Sequence, residues 1–315
     1  MTHGQARPRL SRSERTAGGL IGLLVGDALG VPYEFHPASA LPPAAQIEMT
    51  PPAGFQRSHP YVKPGTWSDD GAQALCLLAS LQHGDYLDLD DFGRRLLNWH
   101  DVGYLAVSGK VFDVGITTTL ALQRLRAGKP ATHSGLSEES ANGNGSLMRV
   151  LPLALWHRGP DADLALYARH SSLPTHAHLR AQLCCALYCL WARRILEEAA
   201  APWDAAVETL RGLYAPGTAE RAELDGPILG YQLRGGSGYV VDSLHSARWA
   251  VQQGGYEDAV KSAISLGNDT DTTACIAGGI AGLLHGIQDI PQRWRDALRD
   301  YDVAREMLER LLRNG

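Results

Sequence analysis

The chain has 315 residues, 44% of them hydrophobic and 20% charged, with a formal charge of −5. That length can bury a large core, in one large domain or two small ones. No run of five lysines or arginines occurs, so neither nucleic acid nor an anionic membrane is expected as a partner, and a small, locally recognised ligand fits better.

In chain order, Arg7, Arg9, Arg12 and Arg15 precede the apolar "GGLIGLLVGDALG", which superficially copies a secretory leader. Three features favour a helix of the folded protein. Ser11 and Glu14 have capping-box spacing, and Leu20, Ile21, Leu24, Val25, Ala28 and Leu29 recur at helical period. Asp27 also interrupts an apolar run too short to span a bilayer. Amphipathic helical patterns then cover 14–30, 69–82, 89–100, 116–127, 147–157, 162–170, 177–199, 204–213, 241–253, 256–265, 273–286 and 292–313. Period-two runs are nearly absent, so the expected fold class is all-α, with no sheet.

Three segments break the helical pattern: 31–67, with eight of the chain's 17 prolines, 129–146, and 214–240. Connections this long inside a compact domain are mostly functional loops, and the chemistry is expected among them. No linker composition or repeat appears, so residues 14–315 are expected to form one domain behind a short tail, 1–13. The five cysteines, Cys76, Cys184, Cys185, Cys189 and Cys275, lie in apolar helical patterns and are expected to be reduced, buried thiols of a cytoplasmic protein. Cys185 and Cys189 are one turn apart, as zinc ligands could be, but no second pair with zinc spacing accompanies them.

Two stretches concentrate oxygen. In "GNDTDTTACIAGGIAGLLHG", Asp269 and Asp271 precede an apolar run; on a helix two positions apart they would diverge by about 200°, so they are expected to converge from an irregular turn leading into a buried helix. In "GTWSDDGAQALCLLASL", Ser68, Asp69 and Asp70 stand in the same context. Either cluster alone could be an N-cap, but a cap needs one oxygen and each cluster supplies more. Asp27 shares the apolar face of the first helix and there needs a donor or a cation. Should Asp69, Asp70, Asp269 and Asp271 meet, four negative charges would take up protons or bind a divalent ion. Oxygen donors without nearby His or Cys favour Mg²⁺ or Mn²⁺ over zinc, and four carboxylates suffice for two ions.

Seven segments, in order from about Gly18 to Gly286, resemble the ADP-ribosylglycohydrolases: "GLLVGDALGVPYEF", "GTWSDDGAQAL", "GYLAVSGKVFDVGITTTLAL", "NGNGSLMRVLPLAL", "THAH", "GSGYVVDSL" and "GNDTDTTACIAGGIAGLLHG". The resemblance implies a compact all-α fold around a cleft with two Mg²⁺ or Mn²⁺ ions, held by Ser68, Asp69, Asp70, Asp269, Asp271 and Thr272. It implies that Asn144, Gly145 and Ser146 lie along the ligand's diphosphate and ribose, a role that N–H groups ahead of a helix suit. It places Asp113, Gly115, His176 and Tyr239 in the cleft and Glu34 near the scissile bond. The sequence departs from the family pattern at Ser68 (usually Thr), Gly71 (often Thr), Asn268 (often Gly) and Ile116, where "DIGNTT" frequently has Asn.

The expected activity is metal-dependent hydrolysis of the bond between ADP-ribose and an acceptor, arginine first, with Asp69, Asp70, Glu34 and Asp269 as catalytic candidates and an ADP-ribosylated protein as partner. A monomer is expected. Serine- or O-acetyl-linked ADP-ribose are alternative substrates, and a non-catalytic ADP-ribose-binding relative is a second class. "DTDTT" also matches the nucleophile motif of haloacid dehalogenase-like phosphatases, which requires an apolar β-strand directly before it.

Overall fold

The computed structural model describes residues 9–84 and 86–313; the expected tail, 1–13, falls mostly outside them. The first half of the chain forms α1 (Arg12–Gly30), α2 (Asp69–Leu81), α3 (Leu89–Val102), α4 (Ile116–Arg126), α5 (Ala131–Ser134) and α6 (Leu151–Trp156). There follow α7 (Asp161–Ser172), α8 (Leu179–Leu196), α9 (Pro202–Gly212), α10 (Ala219–Glu223) and α11 (Val240–Ala250). The chain closes with α12 (Tyr256–Ile264), α13 (Thr270–His285), α14 (Gln292–Ala297) and α15 (Tyr301–Arg313). No strand occurs among the described residues, only the isolated bridges Pro37–Gly267, Leu136–His176 and Gly143–Tyr239. The all-α expectation holds. The phosphatase alternative fails, because a helix, α12, precedes Asp269 where that chemistry needs a strand.

The fold is organised on two antiparallel glycine-lined helices. Gly18, Gly22, Gly26 and Gly30 recur every four residues and form one stripe along α1. A Cβ on Gly18 would stand 2.1 Å from the Gly282 carbonyl oxygen, on Gly22 2.5 Å from that of Gly278, and on Gly26 2.1 Å from that of Ala274. Backbone therefore lies against backbone, and the Tyr256 hydroxyl spans the seam to the Gly22 carbonyl at 2.6 Å. This places the C-terminal end of α1, with Asp27, beside the N-terminal end of α13, with Asp269 and Asp271. Contrary to the expectation that the apolar run is too short to span a bilayer, the stretch Arg12–Tyr33 is long and apolar enough to cross one; its most apolar window is wholly buried in protein, as in the core helix of a globular fold. The Ser11–Glu14 capping box forms as expected, with both reciprocal bonds made.

One continuous core of buried side chains runs from Ala17 to Leu311. All five cysteines are free and buried. Burial pushes the Cys185 thiol up to about 11, and no cysteine belongs to a group of potential metal ligands among the described residues, so nothing supports the zinc arrangement.

Three element boundaries differ from expectation. The pattern at 292–313 is two helices, because the Arg299 N–H turns to the Gly65 carbonyl and Asp300 takes a left-handed φ of 51°. The pattern at 147–157 becomes helical only at Leu151, since Leu147 and Met148 N–H both turn back to the Asn144 carbonyl. The expected loop 214–240 contains α10 and a following π-turn, Leu224–Ile228; Thr218 caps α10 by accepting the Arg221 N–H, and Leu224 and Ile228 are buried.

Candidate active site

The loop after α1 carries Glu34 back under the cleft. The Ser58 hydroxyl donates to the Glu34 carbonyl, and His36 Nδ1 lies 2.8 Å from that same oxygen. The next residue, Phe35, has a left-handed φ of 59° and donates its N–H to the Asn268 carbonyl at 2.6 Å; Asn268, φ 61°, donates to the His36 carbonyl at 2.7 Å. Asp113 has a φ of 59° as well. Three non-glycine residues in a sparsely populated backbone region thus border one cluster of acids, strain of a kind that concentrates at functional sites.

Glu34 is 3% exposed, with Oε2 2.7 Å from His59 Nε2. Carboxylate oxygens of Glu34, Asp269 and Asp271 lie within 4.8 Å of one another, as do ligand atoms of Glu34, His59 and Asp113. Beside them the Thr272 hydroxyl donates to Asp70 Oδ1 at 3.4 Å. Burial, and then the charges of Glu34, Asp113, Asp70 and Asp269, push the Asp271 carboxyl well up. Burial followed by neighbouring carboxylates raises Asp69, Asp70 and Glu34 in the same way. Asp70 Oδ2 and both Asp271 oxygens are buried with no hydrogen-bond partner among the described residues. Buried carboxylates are ordinarily paired or bound to a cation, so these orphaned oxygens fit a divalent ion.

The acids stand where helices begin. Asp269 occupies the N-cap position of α13, and Asp271 lies on that helix's first turn; the expected irregular turn is present, with Gly267 and Asn268 at left-handed φ of 76° and 61° leading into Asp269 at φ −97° and ψ 73°. Ser68 is the N-cap of α2, its hydroxyl accepting from the Asp70 N–H; Asp69 and Asp70 are thereby freed from capping. Asp27 finds donors: its carboxylate accepts the Ser68 N–H at 2.9 and 3.0 Å and the Gly71 N–H at 2.8 Å. Burial still pushes it up to about 7.

A buried relay that the sequence analysis missed holds this wall. Gln73 Nε2 donates to Asp69 Oδ2 at 2.9 Å, and Arg149 Nη1 donates to Gln73 Oε1 at 2.7 Å. Arg149 Nη2 reaches Thr175 Oγ1 at 2.7 Å, and Thr175 Oγ1 lies 2.8 Å from His176 Nδ1. Burial lowers the Arg149 guanidinium to about 10 and His176 to about 3, so the imidazole is neutral. A charged residue inside the apolar run "LMRVL" was the available signal, since a buried guanidinium must be paired. His59, in the proline-rich loop, had none.

His176 underlies the glycine-rich turn. A Cβ on Gly145 would meet its ring at 2.8 Å, and one on Gly143 at 3.4 Å. The turn is bridged to the Tyr239 segment through Asn144 N–H to Gly238 carbonyl, 3.1 Å, and Val240 N–H to Asn142 carbonyl, 3.0 Å. Asn144 Nδ2 donates to Asp269 Oδ2 at 2.8 Å, joining turn to acid cluster. Ser146 points inward, its hydroxyl accepting from Ser172 at 2.8 Å, so this residue offers the cleft backbone. Arg180 donates to the Tyr239 hydroxyl at 3.1 Å. Gly115, the N-cap of α4, and Ile116, 82% exposed, lie at the surface beyond Asp113.

The family profile described as ADP-ribosylglycohydrolase matches residues 8–315. The chain is 29% identical to the ADP-ribosylarginine hydrolase Tri1 of Serratia proteamaculans strain 568, over 96% of this chain and 80% of that protein. It is 32% identical to the protein of the same name from Pseudomonas putida strain GB-1, over 89% and 73%, and 28% identical to the ADP-ribosyl-[dinitrogen reductase] glycohydrolase of Rhodospirillum rubrum, over 93% of each. A solved "ADP-ribosylglycohydrolase-related protein complex" superposes with a TM-score of 0.77 at 32% identity, covering 96% of this chain and 99% of that one. The profile spans nearly the whole length, and the chain belongs to the ADP-ribosylglycohydrolase family of enzymes.

Proposed function

We propose that the protein is a divalent-metal-dependent hydrolase that removes ADP-ribose from modified arginine on a protein. The observation that carries this reading is the set of buried, unpartnered oxygens of Asp70 and Asp271 amid acids from three separate parts of the chain. Ser68, Asp69, Asp70, Asp269, Asp271 and Thr272 are the residues that would hold two Mg²⁺ or Mn²⁺ ions. Such ions supply charge neutralisation and polarisation of sugar and water oxygens.

The chain's own groups account for the rest. The Gly143–Ser146 turn supports the diphosphate: the N–H groups of Gly145 and Ser146 have no backbone partner among the described residues, and neutral His176 packs beneath them. Glu34, set by His59 at one oxygen, is placed to exchange a proton at the glycosidic bond as positive charge develops on the sugar. Asp113 and Glu34 are the acids available to a cationic acceptor, which favours a guanidinium over a serine hydroxyl. The names of the Serratia and Pseudomonas relatives support the same choice. The buried free thiols support a reducing, cytoplasmic setting, and we take the acting species to be a monomer.

The test is a competition between arginine-linked and serine-linked ADP-ribose substrates, with enzyme stripped by chelator and then restored with Mg²⁺ or Mn²⁺. Faster release from arginine, only with metal, is expected. Preference for serine would refute the acceptor assignment, and full turnover in chelator would refute the metal.

A further inference from the structure

Next to the acid cluster lies a cavity of opposite character. It has a volume of about 340 Å³ and is lined by Tyr61, Phe112 and Thr66 together with the cationic side chains of Lys63, Lys110 and Arg299. No carboxylate belongs to its lining among the described residues. Asp300, adjacent to Arg299 in sequence, accepts the Ser108 N–H at 2.7 Å. Lys63 and Lys110 are exposed and free to meet a ligand.

The position of the cavity gives it meaning. The rings of Phe112 and Tyr61 stand 5.2 and 6.1 Å from that of His59, and His59 bonds Glu34 on its other side. One imidazole therefore separates the basic cavity from Glu34. A polypeptide extends about 3.3–3.6 Å per residue, so residues flanking a modified side chain that reaches Glu34 fall within reach of a cavity one imidazole away. Three cations collected beside a cluster of buried carboxylates would attract acidic side chains there and repel basic ones.

We propose that this cavity is a docking site for acidic residues flanking the modified side chain of the target protein, and that the enzyme selects ADP-ribosylated segments rich in Asp and Glu. The proposal rests on the hydrolase reading above and adds the sequence context of its substrate. Solvent-exposed ion pairs are individually weak, and three together amount to roughly a tenfold change in affinity. They are screened over about 10 Å at 0.1 M salt.

The test compares free ADP-ribosyl-arginine with two ADP-ribosylated peptides that differ only in having Glu or Asn around the modified arginine. At low salt the wild type should show a KM about tenfold lower for the Glu peptide. The variant K63E/K110E/R299E, with helical content verified by circular dichroism, should lose that preference and keep its kcat and KM on free ADP-ribosyl-arginine. Equal KM values for the two peptides in the wild type would overturn the proposal. An equal loss on free ADP-ribosyl-arginine would overturn it too, assigning the cations to the ADP-ribose phosphates. If no arginine-linked substrate is cleaved, the arginine-acceptor reading fails separately. The docking site is then decided by fluorescence anisotropy with the labelled, unmodified Glu peptide: binding lost in the triple variant sustains it, and no binding to the wild type overturns it.

Discussion

Asp271→Asn is expected to make the metal-free protein more stable while removing its function. The carboxylate is wholly buried, both of its oxygens lack a hydrogen-bond partner among the described residues, and Glu34, Asp113, Asp70 and Asp269 all act on it. Without a cation, folding must either bury that charge unpaired or protonate it. An unsatisfied buried polar group costs about 1–3 kcal/mol, and a charged one more. An asparagine of the same shape carries no charge, and its amide can donate to the surrounding acids. A gain of about 1–3 kcal/mol in a chain of this length, with an unfolding entropy of about 2 cal/mol/K per residue, raises Tm by about 2–5 °C. With saturating Mg²⁺ or Mn²⁺ the order should reverse, because the wild type gains binding free energy that the variant has lost. Melting curves of both proteins, each in chelator and in metal, measure all four values. A metal-free variant melting below the metal-free wild type, or an equal rise with metal in both, would show that Asp271 is an ordinary structural acid.

Gly26→Val puts a branched side chain where a Cβ already comes within 2.1 Å of the Ala274 carbonyl oxygen. Overpacking against backbone should cost about 3 kcal/mol or more and weaken metal binding in calorimetry, since the same seam aligns Asp27 with α13; an unchanged Tm would refute the close approach. Gln73→Leu severs Asp69 from Arg149 and should weaken metal affinity about tenfold or more with little change in helical content, whereas unaltered affinity would make the relay irrelevant to the site. The pH dependence follows from the direction of the carboxyl shifts. Asp69, Asp70, Asp271 and Glu34 are raised in the folded state, so the folded apoprotein holds protons that the unfolded chain has released. Its stability is therefore full below the ordinary carboxylate range and is lost as pH rises through the raised values. Tm in chelator should fall from pH 5 to pH 8, and metal should cancel most of that fall with release of protons; parallel curves with and without metal would contradict the assignment.

Helical periodicity and the near absence of alternating runs were local signals, and together they were sufficient to read the all-α class from the sequence alone; the Ser11–Glu14 box marked the start of α1. The acids were legible for a related reason: Asp69, Asp70, Asp269 and Asp271 supply more charge than a cap needs, at sites where helices begin. The tertiary structure alone decided which of these oxygens lack partners. Asp27 was as conspicuous in sequence as Asp271, yet the Ser68 and Gly71 N–H groups satisfy one and no donor among the described residues satisfies the other. His59, Gln73 and Arg149 join the site through contacts across 25, 4 and 76 positions, and the long-range ones leave no trace in any local pattern. The split at 298–300 and the basic cavity beside Glu34 likewise depend on packing between distant segments, Gly65 with Arg299 and Lys63 with Lys110. Periodicity reports which face of a helix is buried; only the folded chain determines what that face meets.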